Sequence, residues 1–166
     1  MKEIFSKVNI KRLLHFALFM FLSLMCQTML FSKAKLFGVY PMFLPAVAVS
    51  VGMFQGATWG AVFSLIMGYF ADMAYIESTI TYTVLFPALA FAAGFVAQFF
   101  INRRFFAYMG AALMGLLITA VVQMLKTIAM DEWAISMIPT VLMQTLWSLP
   151  AAAVAYFPSA KWIRKD

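Results

Sequence analysis

The sequence predicts an all-α, polytopic membrane protein with six transmembrane helices. Two observations predict this class. Of the 166 residues, 65% are hydrophobic and only 11% are charged, whereas ordinary soluble domains carry about 25% charged residues. Long apolar runs also recur from one end of the chain to the other, and a run of about 18 residues or more is long enough to cross a bilayer.

The chain divides into one membrane domain with two short basic flanks. Residues 1–12 form a basic N-terminal segment, which is either a short interfacial helix or a disordered tail. Residues 13–157 form the membrane domain, and residues 158–166 form a basic tail. The first apolar run is longer than the apolar core of a signal peptide, which has about 7–15 residues. Five more runs follow it, so we expect it to remain in the protein.

Six apolar runs make up the membrane domain. The second is short and carries Pro41 and Pro45 near its start, where proline is tolerated because the lost amide hydrogen would be unpaired anyway. The Gln55-Gly56 pair leaves almost no loop, so the second and third runs are expected to form an antiparallel hairpin. Proline interrupts the sixth run at two positions. The runs cover residues 13–31, 39–54, 56–75, 81–101, 105–130 and 134–157.

Small residues recur at a fixed stride of four through the third run. On an α-helix, positions four apart lie on one face. A face of small residues lets another backbone approach closely, which is how helices associate in lipid. We expect this face to contact either a neighbouring helix of the chain or the transmembrane span of a partner. The positions are Gly52, Gly56, Gly60, Ser64 and Gly68, and the next step of the stride is Asp72.

The basic residues predict the orientation of the chain. With six spans both termini lie on one side, and nine of the twelve Lys and Arg residues share that side. The positive-inside rule then places both termini in the cytoplasm, where these residues also meet anionic lipid rather than nucleic acid. The nine are Lys2, Lys7, Lys11, Arg12, Arg103, Arg104, Lys161, Arg164 and Lys165; Lys33, Lys35 and Lys126 remain outside, with the acidic Glu77, Asp131 and Glu132.

The sequence carries no recognisable catalytic constellation. His15 is the one histidine and Cys26 the one cysteine, so neither a histidine metal site nor a disulfide is expected. There is no GxxxxGK[ST] phosphate loop and no GxSxG elbow. We therefore predict a protein that is not an enzyme, with no catalytic, cofactor-binding or metal-binding residues. Interhelical hydrogen bonds are the expected role of the glutamines within the spans, which are Gln27, Gln98, Gln123 and Gln144.

Asp72 and Lys126 are the two charges that could enter the hydrocarbon region. At a rise of about 1.5 Å per residue, Asp72 lies about 24 Å and Lys126 about 31 Å from the start of its run. Both therefore approach the outer headgroup level. They can form an ion pair if the third and fifth helices are neighbours, and Lys33 and Lys35 are the alternative partners of the carboxylate.

The order of these elements resembles the MreD family of bacterial rod shape-determining membrane proteins. The resemblance covers roughly residues 13–100, and the C-terminal third matches mainly in hydropathy. The family usually has a glycine shortly after the aspartate, whereas residues 73–79 contain none. The matching features are Leu24-Met25-Cys26-Gln27 at the end of the first run, Gly38-Val39-Tyr40-Pro41 at the start of the second, and Gly56, Gly60 and Gly68 with Asp72 four residues on.

The resemblance implies a non-enzymatic role in the bacterial cytoplasmic membrane. Proteins of that family work beside the bitopic protein MreC, in the assembly that directs peptidoglycan synthesis during cell elongation. The expected partners are therefore membrane lipid, an MreC-like protein and other cell-wall elongation proteins. If the protein acts as the resemblance implies, the small-residue face and Asp72 are candidates for the contact with the MreC-like partner.

A second resemblance provides an alternative function. The MreD family shares its architecture with the substrate-binding subunits of energy-coupling-factor vitamin transporters, which bind a vitamin from outside. Those subunits typically dock on their membrane partner through small residues of the first span. The first run here has Ala17, Ser23 and Cys26 but no Ala-xxx-Ala pattern, which weighs against the transporter function.

Overall fold

The computed structural model describes residues 10–31, 33, 40–74, 80–99, 105–129 and 137–163. These residues form six α-helices and no β-strand, which confirms the all-helical class. A π-helical turn extends the first helix (Cys26–Phe31) and another extends the last (Ser159–Ile163). The helices are α1 (Ile10–Met25), α2 (Leu44–Gln55), α3 (Ala57–Ala74), α4 (Thr81–Phe99), α5 (Phe105–Ala129) and α6 (Met137–Pro158).

Several predicted features lie outside the described residues. They are the N-terminal residues 1–9, the loop with Glu77, the basic Asn102-Arg103-Arg104 loop, the acidic Asp131-Glu132 loop and residues 164–166. The orientation that was predicted from these charges therefore stays a prediction.

Helix α2 is the hub of the fold. All twelve of its residues are buried, and it contacts every other helix of the described chain. A helix that is apolar all round is the kind that packs inside a bundle. At about 18 Å, α2 is shorter than the hydrocarbon core of a bilayer, which is about 30 Å thick.

The hub helix begins later than the sequence predicted. The predicted apolar run begins at residue 39, but the helix starts at Leu44, with Phe43 as its N-cap residue and residues 40–42 before it outside any helix. Pro45 has no amide hydrogen, so it cannot bond to the carbonyl of Pro41 as a helical residue would. We call residues 40–43 the pre-helix segment.

A single residue connects α2 to α3. Gly56 has φ +97°, a left-handed conformation that glycine adopts without steric cost. Its amide donates to the carbonyl of Gly52 at 2.9 Å, and its own carbonyl accepts from Gly60 at 3.0 Å. The predicted tight hairpin at Gln55-Gly56 is therefore confirmed.

Glycines bring the backbones of α2, α3 and α4 into direct contact. A methyl group added to Gly52 would lie under 3.0 Å from the backbone of Ala90 in α4. One added to Gly60 would meet the backbone of Gly52 equally closely, and one added to Gly94 would meet that of Ala57. These three helices therefore form one tightly packed group, which we call the glycine unit.

Two apolar clusters fill the bundle, and α2 contributes to both. One cluster joins α2 to α1, α3 and α4 through residues such as Phe43, Met67 and Phe86. The other joins α2 to α4, α5 and α6, with Met53 and Leu116 among its members. The outer surfaces of the helices carry large exposed apolar side chains, as expected for a surface in contact with lipid.

Four helices are long and apolar enough to cross a membrane within the part of the chain that the structure describes. They are Leu14–Phe31, Thr81–Gln98, Phe105–Ala129 and Ile138–Lys161. The chain is therefore a membrane-embedded helical protein. Helix α6 runs without a break through Pro139 and Pro150, where the sequence predicted interruptions.

Candidate functional site

Most of the polar side chains that link different helices lie at one end of the bundle. This is the end where α3 stops, α4 starts and the pre-helix segment enters α2. We call this group the polar layer. It comprises Gln27, Asp72, Tyr82, Thr83, Gln123, Gln144 and Ser148.

Asp72 caps the start of the neighbouring helix α4. Its carboxylate accepts hydrogen bonds from the amides of Tyr82 at 3.1 Å and Thr83 at 2.7 Å, and from the Thr83 hydroxyl at 2.6 Å. The first amides of a helix have no partner within the helix, and negative charge is favourable there. Asp72 therefore caps α4 in the way that an N-cap residue does, although it belongs to the last turn of α3.

A chain of amide side chains joins α4, α5 and α6. The Gln123 side-chain amide donates to the hydroxyl of Tyr82, which is 7% exposed. The Gln144 Nε2 lies 3.3 Å from the Gln123 Oε1 and 3.4 Å from the backbone carbonyl of Tyr40. Three separate helices and the pre-helix segment are therefore connected by direct hydrogen bonds.

The backbone of the pre-helix segment is held by side chains from the π-helical turn after α1 and from α6. The Gln27 Nε2 donates to the carbonyl of Pro41 at 3.2 Å, and the Gln27 Oε1 accepts from the amide of Phe43 at 2.6 Å. The Ser148 hydroxyl accepts from the amide of Met42 at 2.8 Å. Backbone groups that are removed from water need such partners, and these three bonds supply them.

The small-residue face predicted from the sequence lies inside the molecule. Gly60, Ser64 and Gly68 are buried. Gly60 packs on Gly52 in α2, and a methyl group at Gly68 would lie under 3.0 Å from the backbone of α4 at Tyr82 and Thr83. The face is therefore occupied by helices of the same chain. The Ser64 hydroxyl is buried there and has no hydrogen-bond partner among the described residues.

The predicted ion pair between Asp72 and Lys126 is neither shown nor contradicted by the hydrogen bonds described above. Asp72 is engaged with the first turn of α4, and Lys126 lies in the last turn of α5 in a partly buried position. Lys33 is exposed, and Lys35 lies outside the described residues. Pairing between Asp72 and Lys126 stays a prediction.

Tyr108 is an important residue that the sequence did not single out. It is completely buried, and its hydroxyl lies 2.9 Å from the carbonyl of Ala152 and 3.3 Å from that of Ala46. It therefore ties α5 to both α6 and the hub helix. A lone tyrosine inside an apolar run was the available signal, because a buried tyrosine hydroxyl usually needs a partner.

The side chains of the polar layer hold the helices together. Asp72 bonds to backbone amides, and the glutamines of the polar layer bond to backbone and to each other. No group of three or more His, Cys, Asp or Glu side chains that could hold a metal occurs in the part of the chain that was described.

The fold and the polar layer define the class: a multi-pass helical membrane protein that is built around a buried hub helix. No protein-family model, curated protein or solved structure matches the chain.

Proposed function

We propose that this protein is a non-enzymatic membrane component of the bacterial cell-elongation machinery, similar to MreD. It supports peptidoglycan synthesis through helix–helix contact with a bitopic partner similar to MreC. The resemblance of residues 13–100 to that family is the starting point. The observation that carries the proposal is the use of Asp72, the charged residue of the resembling pattern, to cap α4.

The roles of the other matching residues agree with a scaffold. Gly60 and Gly68 bring α3 against its neighbours, and Gln27 holds the backbone before the hub helix. These matching residues therefore act in building the bundle. Because the glycine face is occupied internally, the partner contact falls on the exposed surfaces of the helices.

We place the protein in the bacterial cytoplasmic membrane with six crossings and both termini in the cytoplasm. Helix α3 has 18 residues and a length of about 27 Å. This length approaches the thickness of the hydrocarbon core, about 30 Å. Helix α2 is about 18 Å long, and in this proposal it crosses together with the pre-helix segment.

Reporter fusions test this orientation. One reporter follows Asp166 and another is inserted near Glu77. We expect the reporter after Asp166 to lie in the cytoplasm and the reporter near Glu77 to lie outside. A C-terminal reporter that is active outside would contradict the proposed orientation.

The alternative is a substrate-binding subunit of an energy-coupling-factor-type vitamin transporter. The observation that favours this alternative is the polar layer, which lies at the outer end of the bundle in the proposed orientation. Vitamin-binding subunits of that kind take their ligand from the outer side. Gln123, Gln144 and Tyr82 place polar side chains at that end of the bundle, where they bond to one another.

Purification of the full chain from its own membranes separates the two functions. The protein is cross-linked in cells, purified in mild detergent, and examined by proteomics and by native mass spectrometry, with an unrelated multi-pass protein as the control. Recovery of a bitopic cell-wall protein supports the first proposal. Retention of a vitamin together with transporter ATPase subunits supports the alternative and contradicts the first.

A further inference from the structure

Helix α1 and its π-helical turn are attached to the bundle along a single narrow line. Of the side chains from residue 14 to residue 31, three are buried: Phe19, Ser23 and Gln27. They are spaced four apart and so share one face. Around them, large apolar side chains such as Leu14 and Phe21 are exposed, at 68% and 60%.

Specific contacts rather than apolar burial hold such a helix in place. Lipid tails are as apolar as leucine, so moving apolar surface from protein to lipid has little driving force. The rings of Phe16 and Phe19 lie 5.8 Å and 6.3 Å from that of Phe63 in α3. At the other end, Phe31 stacks on Phe43 at 5.4 Å, next to the Gln27 hydrogen bonds.

Gln27 couples the position of α1 to the pre-helix segment. Pro45 cannot donate to the Pro41 carbonyl, so Gln27 supplies that hydrogen bond and also accepts the one from Phe43. If α1 moved away, both backbone groups would lose these partners in a region of low dielectric, which is costly. Movement of α1 therefore requires a rearrangement of residues 40–43.

We propose that α1 docks reversibly on the rest of the bundle and that Gln27 is the latch. In the docked state the Gln27 amide bridges Pro41 and Phe43. In the released state α1 remains a lipid-embedded helix while the pre-helix segment takes a second conformation. The glycine unit of α2, α3 and α4 stays assembled in both states, because its contacts do not involve α1. The inference holds for either of the two functions proposed above.

Distance measurements between spin labels in lipid nanodiscs test the latch. One label pair replaces the exposed residues Leu18 in α1 and Phe91 in α4, and a reference pair replaces Tyr69 in α3 and Leu146 in α6. Both are made in a Cys26→Ala background. The Gln27→Leu variant is expected to add a longer distance component to the α1 pair and to leave the reference pair unchanged.

Two further variants make the result decisive. Thr28→Val is the matched control, because Thr28 is exposed and its hydroxyl lies 2.9 Å from a carbonyl of its own helix. Gln27→Asn, which keeps an amide but shortens its reach, carries the test if Gln27→Leu does not fold, and is expected to give a smaller longer-distance component. A Gln27 variant with the same distances as Thr28→Val would overturn the proposal. So would equal broadening of both label pairs.

Discussion

The carboxylate of Asp72 accepts two hydrogen bonds from Thr83, one from the backbone amide at 2.7 Å and one from the side-chain hydroxyl at 2.6 Å. Asp72 lies in the last turn of α3, and Thr83 lies in the first turn of α4. Two helices that are already in backbone contact at Gly68 are therefore also joined by a charged hydrogen-bonding group. This junction stabilises the hairpin between α3 and α4.

Removing the Asp72 carboxylate should destabilise the protein. Asp72→Ala is expected to lower the free energy of unfolding by about 2 kcal/mol, because it removes a helix cap and charge-assisted hydrogen bonds. Thr83→Val, which keeps the amide bond and loses the hydroxyl, should cost about 1 kcal/mol. Unfolding in mixed micelles measures both, with the exposed Thr58→Val as the control. An Asp72→Ala protein as stable as that control would show that the cap is unimportant.

The pairing of Asp72 with Lys126 can be measured by a double-mutant cycle. A partly buried charge that loses its partner is costly, so Asp72→Asn and Lys126→Met should be non-additive in thermal stability if the two side chains interact. The coupling is measured from the two single variants and the double variant. Strict additivity would indicate that they do not interact.

The glycine unit should not tolerate added side-chain volume. Gly60→Ala and Gly68→Ala are each expected to cost about 1–3 kcal/mol, because the new methyl group meets the backbone of a neighbouring helix. The corresponding leucine variants should fail to assemble. Gly110 in α5 is the matched control, since a methyl group there meets no atom within 4 Å. Gly110→Ala should be neutral or up to about 1 kcal/mol stabilising.

Thermal unfolding of the protein purified alone is the measurement for this prediction. The isolated protein is sufficient, because the face is in contact with helices of the same chain. Equal stability of the Gly60, Gly68 and Gly110 variants would mean that the close packing described here is wrong.

The hydrogen-bond chain between α4, α5 and α6 predicts different effects for two glutamines. Gln123→Leu breaks the bonds to Tyr82 and Gln144 and is expected to cost about 1 kcal/mol, a typical value for an interhelical hydrogen bond in a membrane. Gln98 is exposed in α4, so Gln98→Leu should have little effect. Unfolding by SDS in mixed micelles measures the free energy of unfolding of both variants. A larger decrease for Gln98→Leu than for Gln123→Leu would contradict the proposed role of Gln123.

Much of the fold could be predicted from the sequence, because helix positions in a membrane protein follow apolar periodicity. The hairpin at Gly56 and the close-packing stride through Gly60 and Gly68 were readable from glycine spacing alone. The start of α2 was not. Its position depends on side chains that are distant in sequence, since Gln27 and Ser148 supply the bonds that let residues 40–43 remain non-helical.

The candidate site was predictable only in part. Asp72 was recognised from its place at the end of the glycine stride, but its contact with the first turn of α4 depends on the geometry of the hairpin. Tyr108 gave no signal beyond being a polar residue in an apolar run, because its partners are backbone carbonyls of α2 and α6 that no sequence pattern marks.

Depletion of the protein in its own cells tests directly whether it acts in cell elongation. The cells are followed by microscopy, and their length-to-width ratio is measured as the protein is lost and then restored from a plasmid. Depleted cells are expected to lose their rod shape and become rounded, and the wild-type chain is expected to restore the rod shape. Depleted cells that keep their rod shape would contradict the proposed role in cell elongation.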